Sequence, residues 1–162
     1  MTDTNPVLYI LMRNDLSSMN AGKAMAQASH ASNAFWKQVN NGFVDNTHPA
    51  ETQRLLNEWQ LSTSQGFGTV LVLGVDESQM RATIEIADKM GFVSDIVNDP
   101  TYPIQIPSEL GVHMAGKLGS SGVYVGEGYG YVTIPLDTCA YVFGDKNNPI
   151  LSAIVGHFPL HP

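Results

Sequence analysis

A chain of 162 residues with 43% hydrophobic and 14% charged side chains is long enough to bury its own apolar core, which excludes a mini-protein dependent on staples. Its single cysteine, Cys139, excludes an internal disulfide and any multi-cysteine metal site. The net charge of -7 argues against a general nucleic-acid binder, which presents a basic face to displace counterions from phosphates. Residues 13 to 37, however, carry Arg13, Lys23 and Lys37 against Asp15 alone, a local positive patch suited to one or two phosphates.

In chain order, Met1 to Pro6 is short and polar, without the basic end and apolar stretch of a signal peptide, and no later run reaches membrane-spanning length. A soluble cytoplasmic protein with no membrane partner is expected. Val7 to Met12 reads VLYILM, the continuous apolar run of a strand buried on both faces. After a polar loop, Lys23 to Val39 is rich in Ala, Met and Gln, with Asn20 or Ser18 placed to cap a helix. A looser stretch from Asn40 to Glu51 leads to a second helix carrying Leu55, Leu56 and Trp59 and ending near Gln60.

Gly68 to Val75 predicts another buried strand, and Asp76 to Gln79 an acidic start for a third helix, in which Met80, Ile84 and Ala87 recur at helical spacing. Gly91 suits its C-terminal cap. Val93 to Val97 predicts a short strand, and the prolines of Asn98 to Pro103 a turn, so Asp99 is expected just past a strand end. From Ile104 to Tyr131 the Gly and Pro content rises, which predicts a loop followed by a hairpin and marks about residues 108–131 as an insertion in a single domain spanning 1–162. Strands at Tyr131–Ile134 and Ala140–Phe143 and a short helix at Pro149–Val155 complete an α/β chain, read as a three-layer α/β/α sandwich on a small mixed sheet.

In such sheets, functional groups collect beyond the carboxyl ends of strands, where loops meet helix N-termini. Two loops qualify, residues 13 to 23 and residues 98 to 103, and they bring Lys23 and Asp99 into consideration together. Lys23 in a first helical turn opposes the sign of the helix dipole, a cost of a few tenths of a kcal/mol that an anion would offset. Gln27 follows at i+4 and His30 at i+7, so the three share a face. On spacing alone the favoured reading is plainer: Lys23 and Gln27 form a solvated helix face and His30 is a partly buried polar residue.

The run from Met19 to Ala31, MNAGKAMAQASHA, resembles the M-G-K-G-K-x-A-A-Q-C-S-H-A signature of type-2 peptidyl-tRNA hydrolases. Arg13, Asn14, Asp15 and Leu16 resemble that family's R-x-D-L. Glu58 and Trp59 before an apolar strand, the Asp76 segment, Lys89, Met90 and Gly91, and the closing Val155, Gly156 and His157 follow its order. The likeness covers about residues 7 to 101 and 132 to 160. Ala21 stands where the family has the first lysine of its paired motif. The second signature, D-A-G-R/K-T-Q-I-x-P, is present only as Asp99 to Pro107, DPTYPIQIP, without its basic residue and with the threonine displaced to Thr101.

The resemblance implies hydrolysis of the ester of peptidyl-tRNA, releasing peptide and free tRNA, with water as the nucleophile, no cofactor, and a homodimer. It implies Lys23, Gln27 and Asp99 as catalytic and Arg13, His30 and Thr101 as substrate-binding residues at the acceptor end of the tRNA. In these roles Asp99 orients or deprotonates the water, Lys23 offsets developing negative charge or holds a terminal phosphate, and Gln27 positions the ester. The alternative is a catalytically inactive binding or interaction module on the same fold, and hydrolysis of a smaller ester or amide is a third reading.

Other features are plainer. The GVYVGEGYG of Gly122–Gly130 lacks the lysine and helix of a phosphate loop and predicts a hairpin. Its tyrosines Tyr124, Tyr129 and Tyr131 are suited to stacking on a base but are expected to pack on the sheet. His48, His113, His157 and His161 have no metal-ligand spacing, so no metal site is expected. No G-x-S-x-G elbow is present, and Cys139 falls in a strand, so neither serine nor cysteine is indicated as a nucleophile.

Overall fold

The computed structural model describes residues 3–42, 48–118 and 122–162. Part of the loose stretch after the first helix, residues 43–47, and residues 119–121 of the expected insertion lie outside the described residues. The elements are β1 (Pro6–Arg13), α1 (Ala21–Asn40), α2 (Pro49–Leu61), β2 (Thr69–Val75), α3 (Glu77–Lys89), β3 (Val93–Ile106), α4 (Ser108–Leu118), β4 (Val123–Gly126), β5 (Tyr129–Asp145) and α5 (Pro149–Val155). They form two compact units, one of Met1–Val97 with Thr138–Pro162 and a smaller one of Asn98–Asp137.

The sheet runs β2-β1-β5-β3, with β4 paired to β5. β1 is parallel to β2, from Val7 opposite Thr69 to Arg13 opposite Val75, and antiparallel to β5, from Pro6 opposite Asp145 to Met12 opposite Cys139. The sheet is therefore mixed, and in the larger unit it is the middle layer of an α/β/α sandwich. The period of two along β1 divides its side chains between two cores. Leu8, Ile10 and Met12 join Tyr141 and Phe143 of β5 and Phe35, Leu55 and Trp59 of α1 and α2. Val7, Tyr9 and Leu11 join Ala140 and Val142 and the Met80, Ile84 and Ala87 stripe of α3, with Leu151 and Val155 of α5.

Aromatic rings concentrate on the first of these faces. Phe35 meets Trp59 and Tyr141 edge-on at centroid distances of 5.8 and 5.9 Å, and buried Trp59 donates its indole N–H to the Thr69 carbonyl at 2.8 Å. That bond satisfies the polar atom such a ring carries into a core. Tyr141 likewise gives its hydroxyl to Gln38 at 2.7 Å, and burial, aided by Asp95, raises the phenol well above its ordinary pKa.

Local chemistry sets the helix ends. Asp76 and Gln79 form a reciprocal capping box at the start of α3. At its end Gly91, with φ 79°, lets the Phe92 and Gly91 amides return to Ala87 and Asp88 at 3.0 and 2.9 Å, the double closure that a left-handed residue permits. The end of the chain covers the outer edge of β2: Leu160 bridges Leu73, the Gly74 N–H donates to the Pro159 carbonyl and the His161 N–H to the Val72 carbonyl. An edge so occupied is closed to pairing with another strand.

Three expectations are corrected. Tyr131–Ile134 and Ala140–Phe143, expected as separate strands, are parts of the single strand β5. β3 does not turn at Asn98–Pro103 but continues to Ile106; it is the last strand in the sheet order, and an edge position tolerates the N–H groups that Pro100 and Pro103 lack. Asp99 thus lies within a strand. Ser108–Leu118, expected as loop, is helix α4. A side chain at Gly111 would come 3.0 Å from Val125 and 3.7 Å from the Gly130 Cα, so the glycine that weakens the helical signal is what lets α4 lie on the β4–β5 hairpin.

Candidate active site

In the larger unit, the carboxyl ends of the parallel strands β1 and β2 meet at Arg13 and Val75. Arg13 is 5% exposed and grips Asp15 through two parallel bonds, Nε to Oδ1 and Nη2 to Oδ2, both 2.9 Å. Its Nη2 also lies 3.1 Å from Glu77 Oε2 at the start of α3, and the Glu77 N–H donates to Asp15 Oδ2 at 3.4 Å. The loop leaving β1 is thereby tied to the start of α3. The guanidinium bonds, ahead of the burial that opposes them, hold the Asp15 carboxyl below its ordinary pKa, and the same bonds raise that of Arg13.

The loop then delivers α1. Asn20, rather than Ser18, is its cap: extended at φ -124° and ψ 174°, it accepts the Lys23 N–H on Oδ1 at 2.9 Å. Lys23 is half-buried in the first turn, which contains no acidic residue. Its ammonium and the amino end of the helix dipole therefore put positive potential at the same place. Ala21, the first residue of the helix, is exposed.

Gln27 does not share the environment of Lys23. It is 3% exposed and belongs to the buried stripe with Ala24, Ala31 and Phe35. Thr138 Oγ1 donates to its Oε1 at 2.6 Å, and the Cys139 thiol to its main-chain carbonyl at 3.4 Å. Because β5 runs antiparallel to β1 with Met12 opposite Cys139, these two residues begin β5's passage through the larger unit beside the carboxyl end of β1. His30, three residues on from Gln27, is exposed.

In the smaller unit, the half-buried Asp99 accepts on Oδ1 both the N–H and the hydroxyl of Thr101, at 2.9 and 3.3 Å. Asn98 donates to Asp137 at 2.8 Å. Thr101 is exposed, and its two bonds fix the rotamer of the aspartate.

The structure thus gathers Arg13, Lys23 and Gln27 at one end of the larger unit's sheet, with His30 a turn further along α1, and pairs Asp99 with Thr101 in the smaller unit. Sequence reading missed Glu77 as a partner of Arg13 and Thr138 as the partner of Gln27. The latter lies 111 positions away with no local signal to announce it. A cleft of about 240 Å3 beside Phe143, Gly144 and Asp145 is at the amino end of β1, away from Arg13, Lys23 and Gln27. Among the described residues no cluster of three or more His, Cys, Asp or Glu side chains is arranged to hold a metal, and no helix is long and apolar enough to cross a membrane.

Comparison with protein families gives a match to the family described as peptidyl-tRNA hydrolase PTH2 over residues 6–115. The matched stretch runs from β1 into α4 and takes in Arg13, Lys23, Gln27, His30, Asp99 and Thr101. It ends before residues 132–160, the second part of the sequence resemblance. A comparison with curated proteins found no match.

Proposed function

Because the chain belongs to the PTH2 family of peptidyl-tRNA hydrolases, we propose that it hydrolyses the ester joining a peptide's carboxyl end to the terminal ribose of tRNA. The observation that carries this reading is the extent of the match, which spans every residue on which the chemistry would depend. Water adds to the ester carbonyl carbon, the bond to the ribose oxygen breaks, and that oxygen leaves with a proton, giving free tRNA and a peptide carboxylate.

Lys23 is the group suited to the negative charge that develops on the carbonyl oxygen, or to the neighbouring phosphate. It is a cationic side chain in the first turn of α1, where the helix dipole is also positive. Asp99 orients or deprotonates the water, with Thr101 holding the carboxylate in one rotamer. Gln27 acts as a positioning residue: buried and bonded to Thr138, it anchors the second turn of α1 and with it Lys23. Arg13 contributes through the same route, since its guanidinium is engaged by Asp15 and Glu77, while exposed His30 is available to a substrate phosphate. The molecule acts without a cofactor, as a homodimer, in the compartment where peptidyl-tRNA is made.

The test is release of free tRNA from purified peptidyl-tRNA. The wild type should turn over, and Lys23→Ala should lose about 10²- to 10³-fold in kcat, the usual scale for removing one group that stabilises developing charge; Asp99→Asn should fall comparably. A second reading, an inactive binding module, is favoured by Ala21, which leaves the exposed start of α1 without a second cation. Binding of tRNA without turnover in the wild type would select it.

A further inference from the structure

None of the 15 aspartates and glutamates lies in α1, although the helix has 20 residues and the chain a net charge of -7. Its basic side chains, Lys23, His30 and Lys37, recur at intervals of seven. Seven residues advance a helix by about 10 Å and return to within about 20° of the same direction, so the three stand in one row about 21 Å long. His30 and Lys37 are exposed and Lys23 is half-buried, and the neighbours on that flank, Ala26, Asn33 and Ala34, are uncharged. Arg13, Arg54, Arg81 and Lys89, each bound to a carboxylate, lie off this helix. The row is thus a positive strip on an acidic body.

A groove runs beside its far end. About 350 Å3 of space is walled by Ala34, Lys37, Gln38 and Asn41 at the end of α1, by Tyr141 of β5 and by Asp95 of β3. Tyr141 donates to Gln38 at 2.7 Å, which holds that amide at the wall. Lys37 brings a charge, and the Gln38 and Asn41 amides bring groups suited to phosphate and ribose oxygens. Asp95, exposed on β3, opposes a phosphate at that point. Cations repeated along a helix match an anion whose charges repeat along a backbone; a small anion would need only one of them.

We propose that the Lys23–His30–Lys37 row is a track for the phosphodiester backbone of RNA, with Lys37, Gln38 and Asn41 as its distal contact. RNA is preferred over another polyanion because of the family match, and that the strand is the substrate's own rests on the hydrolase reading. Lys37 lies about 21 Å along α1 from Lys23, too far to reach the ester on which Lys23 acts, so it governs binding and not chemistry.

The test uses the full chain and a fluorescently labelled, deacylated RNA hairpin with an unpaired 3′ end, followed by anisotropy over a series of salt concentrations. Lys37→Gln, which keeps the length of the side chain and removes its charge, should weaken binding about fivefold, the scale of one exposed charge contact, and lower the slope of log affinity against log salt by about one. Lys37→Arg should retain both. Asp95→Asn, which removes the opposing carboxylate, should tighten binding about twofold. With peptidyl-tRNA, Lys37→Gln should raise KM about fivefold and leave kcat unchanged, the mark of lost uniform binding.

A Lys37→Gln variant with wild-type affinity and salt slope would overturn the track. So would an Asp95→Asn variant that binds no better than the wild type, or a wild type that binds vesicles of phosphatidylglycerol and phosphatidylcholine and ignores the hairpin. Turnover by the wild type with an unchanged KM in Lys37→Gln sinks the track and leaves the hydrolase. Hairpin binding that depends on Lys37, beside a wild type that never turns over, supports the track and sinks the hydrolase.

Discussion

The larger unit of this chain is built around a buried cluster of aromatic rings, whereas the smaller one leaves most of its large apolar side chains exposed. Phe35, Trp59, Tyr141 and Phe143 are all within 2% of complete burial, packed between α1, α2 and the sheet. In Asn98–Asp137, among the described residues, the large side chains that are buried are Tyr102 and Val123, whereas Leu110, Val112, Tyr124, Val125 and Tyr129 are exposed. Apolar surface removed from water stabilises a fold at about 25 cal/mol per Å2, and surface left in water is available to a ligand. The difference separates residues whose burial holds the molecule together from residues that contribute little to its stability.

The largest expected effect attacks the buried side of that contrast. Trp59→Ala removes a ring that touches Phe35, Trp36 and Phe143 and loses the indole bond to the Thr69 carbonyl; it should cost about 3–5 kcal/mol, read from chemical denaturation. Tyr124→Ala, at an exposed position of β4, should change stability by no more than about 0.5 kcal/mol. Comparable losses at the two sites would break the comparison.

Hydrogen exchange sharpens it at the level of the backbone. Amides of α4 and the β4–β5 hairpin should exchange through local openings costing a few kcal/mol less than those that expose β1, because few buried side chains resist them. Equal protection in the two sets would show that the smaller unit opens only with the whole molecule.

How far these differences were legible in the sequence follows from how local their causes are. VLYILM announces β1 because both faces of that strand are buried, and Asn20 places Lys23 in the first turn of α1 through a bond three residues long. The Asp76 capping box and the Gly91 stop work over similarly short distances. β3 was hidden by Pro100 and Pro103, which argue for a turn unless the strand is known to be an edge. Helix α4 was hidden by Gly111, whose purpose is contact with a hairpin not yet formed at the level of sequence. The fate of Gln27 was hidden for the same reason: helical spacing puts it on the face of Lys23, while its burial depends on where β5 returns.

Thr138→Val tests that long-range contact. Valine keeps the shape and removes the hydroxyl that Gln27 Oε1 accepts at 2.6 Å, which leaves a buried acceptor short of a donor and should cost about 1–2 kcal/mol. Thr138→Ser keeps the hydroxyl and should recover part of the loss. If Gln27 positions α1, the valine variant also lowers kcat for peptidyl-tRNA and the serine variant restores it, a pattern that a purely structural contact would not produce.

The smallest effect concerns the charge clamp at the carboxyl end of β1. Asp15 is held by Arg13, so its folded-state pKa lies below the ordinary 3.8. A depressed carboxyl contributes stability that is fully present above the unfolded pKa and disappears as pH falls through the folded one. Asp15→Asn should therefore be less stable than the wild type near neutral pH and should converge with it as acidification passes through the depressed folded-state pKa. The side chain is 34% exposed, and screening by solvent limits the difference to about 1 kcal/mol or less. A gap between wild type and variant that stayed constant from neutral to acid conditions would mean that the carboxylate's shape, and not its charge, ties the loop to α3.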